Sequence, residues 1–76
     1  MKQIIKKLRI IQPEYVEDYK VGYYPDPYNQ THKIARIEKE VPFDRPTCFV
    51  GYSEDGQKLF EFSTNTPYVL EFKTIN

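Results

Sequence analysis

Apolar and polar positions alternate through most of the second half of the chain, and alternation over short runs marks half-buried strands. Residues 33–41 read K-I-A-R-I-E-K-E-V, with Ala35, Ile37 and Val41 on one face and Arg36, Glu38 and Glu40 on the other. Residues 42–46, P-F-D-R-P, form a loop closed by proline at both ends. Residues 47–62, T-C-F-V-G-Y-S-E-D-G-Q-K-L-F-E-F, carry the clearest local signal, a hairpin turning at Glu54-Asp55-Gly56. Two closures fit it. A two-residue Asp-Gly turn pairs Tyr52 with Leu59 and Phe49 with Phe62. A type I turn through Glu54 and Asp55, with Gly56 left-handed in a bulge, pairs Val50 with Phe60 and Cys48 with Phe62. The second is preferred because it gathers Cys48, Val50, Tyr52, Phe60 and Phe62 on one face and leaves Phe49 with Glu61 on the other. After a turn at residues 63–67, residues 68–73 alternate Tyr68, Leu70 and Phe72 against Val69, Glu71 and Lys73.

The first half is less regular. Met1, Ile4, Ile5, Leu8 and Ile11 fall on one side of a helical wheel, opposite Lys2, Lys6 and Arg9. As a strand, Ile4, Leu8 and Ile10 alternate with Lys6 intruding, while the abundance of isoleucine favours β structure. Both readings fit, and Pro13 ends either one. Residues 14–32 form a long excursion with at most one short strand near residues 19–24. Loops of that length in compact domains are more often functional than ordinary connections are. The predicted fold class is mainly β: one domain over residues 1–76, a small five-stranded barrel or curled antiparallel meander, with or without a short N-terminal helix.

Composition supports a folded domain. The mean hydropathy of −0.68 suggests a polar chain, but twelve of the 76 residues are Tyr or Phe. Each aromatic can bury roughly 150–250 Å², which is enough together for a small core. Net charge is zero but unevenly spread: the first ten residues hold four cations and no acid, the rest seven Lys or Arg against eleven acids. A neutral domain lacks the broad basic stripe of most nucleic-acid binders. The lone Cys48 excludes an internal disulfide and points to a reducing, cytoplasmic setting. No leader-like or membrane-spanning apolar run is present, so the chain reads as complete, without a membrane partner.

The order of elements resembles SH3-like barrels: a first strand, a long Tyr-rich acidic loop, a three-strand meander, a short turn containing proline, and a last strand. Pro13-Glu-Tyr15-Val-Glu-Asp18-Tyr19 is similar to the start of that family's ligand-binding loop, and Asn65-Thr-Pro67-Tyr68-Val69 to the turn carrying its last groove tyrosine. The resemblance implies a barrel and an aromatic groove. The tryptophan that forms one groove wall has no counterpart, since Thr47-Cys48 occupy its place and the chain has no Trp.

The sequence holds little that points to catalysis. His32 and Cys48 are single and unrelated in spacing, Cys48 reads as a buried structural thiol, and too few ligands exist for a metal site. Neither a cofactor nor catalysis is expected. The distinctive segment is residues 13–28, PEYVEDYKVGYYPDPY, with five of the seven tyrosines. Tyrosine offers large contact area and a hydroxyl for little lost entropy. Two or three of the five are expected to pack and the rest to form a patch. The expected function is a non-catalytic protein-interaction module, its partner bound by Tyr15, Tyr19, Tyr23, Tyr24, Tyr28 and Tyr68 together with Glu17 and Asp18. A nucleic-acid binder that stacks bases on tyrosines and sets Lys2, Lys6, Lys7 and Arg9 on the backbone is the alternative. Homo-oligomeric assembly through an open strand edge is another, and an accessory or inhibitor protein of a mobile element fits the same object.

Overall fold

The β-favouring isoleucines settle the N-terminus. In the structure, a computed structural model describing residues 1–28 and 30–75, the chain opens as a ten-residue strand, β1 (Lys2–Ile11). Five more follow: β2 (Val16–Lys20), β3 (Arg36–Glu40), β4 (Cys48–Tyr52), β5 (Lys58–Ser63) and β6 (Tyr68–Ile75). All pairings are antiparallel, and no helix occurs among the described residues. The all-β prediction therefore holds, with six strands instead of five.

A bulge explains why β1 also fits a helical wheel. Its register against β6 slips between Ile5 and Lys7, leaving Lys6 as an extra residue. A bulge reverses the alternation beyond it, so Ile5 faces the core along with Leu8 and Ile10. The three-residue step from Ile5 to Leu8 imitates helical spacing.

The excursion over residues 14–32 is shorter and more ordered than its sequence suggests. Its strand, β2, lies at residues 16–20 and not 19–24, and it pairs with β1 from Ile11↔Val16 to Lys7↔Lys20. Gln12 N–H donates to the Tyr15 carbonyl (2.9 Å) and closes this hairpin around Pro13. β3 is likewise shorter than the alternation in 33–41 implies. Val41 lies past its end and is exposed, while Ile34, ahead of it, is buried in the core.

At the β4–β5 hairpin the preferred turn is present but the preferred register is not. Gly56 N–H donates to Ser53 O (3.0 Å), Ser53 N–H to Gln57 O (2.9 Å), and Gly56 has φ +87°, the geometry of a type I turn followed by a left-handed bulge. A second irregularity between Gly51 and Tyr52 then shifts the ladder, so Phe49 pairs with Phe62 and Val50 with Glu61. Phe49 is consequently a core residue and does not face solvent with Glu61. Cys48 and Val50 are buried too, on the opposite face. There Val50 stands between Glu38 and Glu61 in the ladder. Arg36 ion-pairs Glu38 and Arg45 ion-pairs Glu61, so the stems of charged side chains roof the strand.

The sheet runs β2-β1-β3-β4-β5, with β6 on the other edge of β1, and curls into a half-barrel around Leu8, Ile10, Tyr19, Ile34, Ile37 and Phe49. β2 and β5 share no ladder. Aromatic rings fill the seam between them: Tyr19 stacks on Phe60 at 4.4 Å between centroids and lies 5.3 Å from Phe62. Glycine at position 51 lets the Phe60 ring lie flat across β4, because a Cβ there would collide with that ring.

Candidate nucleic-acid interface

Where β2 ends, the backbone is fixed on both sides. Val21 N–H donates to the Lys6 carbonyl (3.0 Å), Gly22 N–H to Ile34 O (2.8 Å), and Ile34 N–H to Tyr23 O (2.9 Å). The corner needs φ +94° at Gly22, a conformation that favours glycine. Tyr23 and Tyr24 therefore project from an anchored corner, not from the free loop their composition suggests.

Tyr23 stands at the edge of a shallow cleft of about 380 Å³ whose lining includes Lys6, Lys7, Lys20, Lys73 and Glu71. The β1–β2 register sets Lys7 opposite Lys20, and the β1–β6 register sets Lys7 opposite Glu71, which brings cations far apart in sequence onto one surface. Lys7 reaches Glu71 at 3.1 Å and Asp18 at 3.6 Å, while Lys6 reaches Glu71 at 3.8 Å. The Lys7 hydrogen bond and charge hold the Glu71 carboxyl below its ordinary range. Lys7 is thus largely neutralised. Lys20 and Lys73 form no ion pair among the described residues, although the Lys20 charge also acts on Glu71 from farther away. The Lys20 ammonium lies 5.7 Å from the Tyr23 ring centre, and Lys33 lies 5.6 Å from that of Tyr24. Each of these tyrosines therefore carries a cation on one face.

The residues expected to bind a partner do not converge on one patch. Tyr15, Tyr23, Tyr24 and Tyr28 are exposed, and Tyr28 almost fully, whereas Tyr19 is 9% exposed and belongs to the core. One of the five packs, where two or three were expected. Burial, and a hydrogen bond from its hydroxyl to Glu17, push the Tyr19 phenol well above the usual tyrosine value. Tyr68 lies with its ring edge-on to Phe49 at 4.8 Å, at the far end of β6. Asp18 accepts two bonds from the Arg9 guanidinium, at 2.8 and 3.1 Å, which pull its carboxyl below the ordinary range. The same contact removes Arg9 from the set of free cations. Lys2 lies on a neighbouring surface with Gln3 and Phe72.

Lys20 and Lys73 lie outside the residues that the sequence singles out. Their signal was the hairpin around Pro13, which once recognised places Lys20 across from Lys7. At the other candidate positions, His32 contacts Thr31 Oγ1 at 3.2 Å and Asp55 at 3.9 Å. Burial raises the Cys48 thiol pKa, the reverse of what activates a nucleophile. Among the described residues, no three His, Cys, Asp or Glu side chains converge on a metal-sized site, and no helix is long and apolar enough to cross a membrane.

No family model matches the chain, and no solved structure matches it. Over 97% of its length it is similar to part of two curated proteins. It is 28% identical over 76 residues to the tRNA-2-methylthio-N(6)-dimethylallyladenosine synthase of Polynucleobacter asymbioticus. It is 26% identical to the protein of the same description from Polynucleobacter necessarius subsp. necessarius. In both cases the chain spans 17% of the relative's length, so it is similar to one small portion of a synthase of that description.

Proposed function

We propose that this chain is an RNA-binding β-module, and that the lysine cleft beside Tyr23 is its contact surface. The observation that carries this reading is the meeting of Lys6, Lys20 and Lys73 around an exposed tyrosine on a pinned backbone. Ammonium groups hold phosphates by charge, and a tyrosine ring offers any base a stacking face. Lys20 lies 5.7 Å from the Tyr23 ring centre, and the side chain is exposed, so the ring has surface to offer a base. Likeness to a portion of a synthase named for its tRNA product supports RNA as the ligand class. In this reading the module holds RNA and performs no reaction itself.

A protein partner on the acidic tyrosine segment fits less well. Glu17 and Asp18, which would have given that surface its charge, are engaged by Tyr19 and Arg9 within the sheet. Outward the segment presents Tyr15, Tyr23, Tyr24 and Tyr28 with Lys20, and of its other acids Glu14 and Asp26 are exposed at separate places along it. Of what the SH3-like resemblance implied, the small antiparallel half-barrel is present, and no SH3 family model matches the chain.

Titration with a labelled single-stranded RNA at several salt concentrations tests the proposal. Phosphate contacts from Lys6, Lys20 and Lys73, of which only Lys6 shares a carboxylate, give a log–log salt slope of about −2. Lys20→Glu and Lys73→Glu should each weaken binding and flatten the slope. Binding that ignores salt, or that both variants leave unchanged, overturns the reading.

A further inference from the structure

We propose that the free edge of β6 is a self-pairing edge, on which β6 of a second copy adds antiparallel across a two-fold axis at Phe72. Among the described residues β6 pairs only with β1, so one of its edges is unpaired over eight residues. Natural edges are usually blunted by proline, by brevity or by several charges. This one has no proline and only one Glu and one Lys, and Val69, Phe72 and Ile75 are exposed.

The direction of its free backbone groups follows from its pairing. Ile11 N–H donates to the Pro67 carbonyl, so odd-numbered positions of this segment turn their backbone groups toward β1. The amides and carbonyls of Leu70, Phe72 and Thr74 therefore point away from the sheet. Centring a two-fold on Phe72 sets these groups against their counterparts in the second copy, with Phe72 opposite Phe72 and Leu70 opposite Thr74.

The side chains select this register over its neighbours. Glu71 then faces Lys73 of the second copy, Lys73 faces Glu71, and Val69 faces Ile75. Sliding one way sets Glu71 against Glu71, and sliding the other way sets Lys73 against Lys73, both of which cost energy. Lys73, which has no carboxylate partner among the described residues of its own chain, gains one. The strand is thus complementary to itself in charge, in apolar contacts and in backbone groups. A second copy is the occupant that satisfies all three. The resulting sheet continues through β1 and β6 of both molecules and sets the two lysine clefts on the same face.

Sedimentation velocity of the whole chain without RNA, over a wide concentration range, tests this independently of RNA binding. The expected result is a reversible monomer–dimer equilibrium. Glu71→Lys and Lys73→Glu should each raise the dissociation constant about tenfold, because two opposite-charge pairs become two like-charge pairs. An equimolar mixture of the two variants restores complementarity and should dimerise better than either alone. Thr74→Pro removes an outward N–H while leaving the β1–β6 ladder in place, so it should give a folded monomer by circular dichroism. A chain that stays monomeric to its solubility limit, a mixture no tighter than its components, or a Thr74→Pro protein that dimerises as before overturns the proposal.

Discussion

Two stretches of the tyrosine-rich segment, residues 17–19 before Lys20 and residues 22–28 after it, have opposite fates, while Tyr15 ahead of both is exposed. On one side, Glu17, Asp18 and Tyr19 belong to a laddered strand, and each side chain has a partner: Tyr19 holds Glu17, Arg9 holds Asp18, and the Tyr19 ring plugs the seam against Phe60 and Phe62. On the other side, the chain turns through Gly22, and Tyr23, Tyr24 and Tyr28 project outward. Their residue types are alike, so what separates them is the ladder. A strand side chain facing inward at a seam is buried whatever its polarity, and a side chain on a corner has nothing opposite it. Tyrosine serves both regions because it combines an apolar body with a polar tip.

The largest expected effect breaks the packed side. Tyr19→Ala should cost about 3–5 kcal/mol, most of the margin of a domain this small, and the loss is read from the denaturation midpoint. Tyr19→Phe keeps the ring and loses only the bond to Glu17, so it should cost about 1 kcal/mol. A Tyr19→Ala protein as stable as the parent would show that the seam is not closed by this ring.

Gly51→Ala tests the same seam from the opposite wall. The added methyl meets the Phe60 ring, which the Tyr19 stack prevents from swinging freely, so a loss of about 1–3 kcal/mol is expected. The pair should be non-additive with Tyr19→Ala, since removing the tyrosine frees Phe60 to move.

The displayed side should show the converse. Tyr23→Ala should change stability by less than about 0.5 kcal/mol and weaken single-stranded RNA binding by about 1–3 kcal/mol. Calorimetric melting and the RNA titration on the same sample separate the two. If Tyr23→Ala unfolds the chain, the division at Lys20 is wrong.

The smallest effect concerns acid. Asp18 and Glu71 have depressed pKa values when folded, so each contributes stability that is present above the unfolded value of about 4 and lost as pH falls through the depressed one. Arg9 and Lys7 supply the two depressions. Denaturation midpoints should decline below that pH, and Asp18→Asn should flatten the decline. Added salt should shrink the difference, since both carboxylates are partly exposed.

Local pattern alone determined the all-β class, the Glu54-Asp55-Gly56 turn, the alternation of β6, and the division of residues 63–67 as a turn. These depend on side-chain period and on which residues tolerate positive φ, both of which are properties of short windows. Tertiary structure decided what those windows leave open. Bulges at Lys6 and beside Gly51 each reverse the alternation, and a bulge is recognised only through the strand opposite. That is why Phe49 proved inward and why β1 could pass for a helix. Which tyrosine is core and which lysines share a cleft depended in the same way on pairings across the curl. Lys6, Lys20 and Lys73 are scattered in sequence and become neighbours only because β1 binds β2 on one edge and β6 on the other.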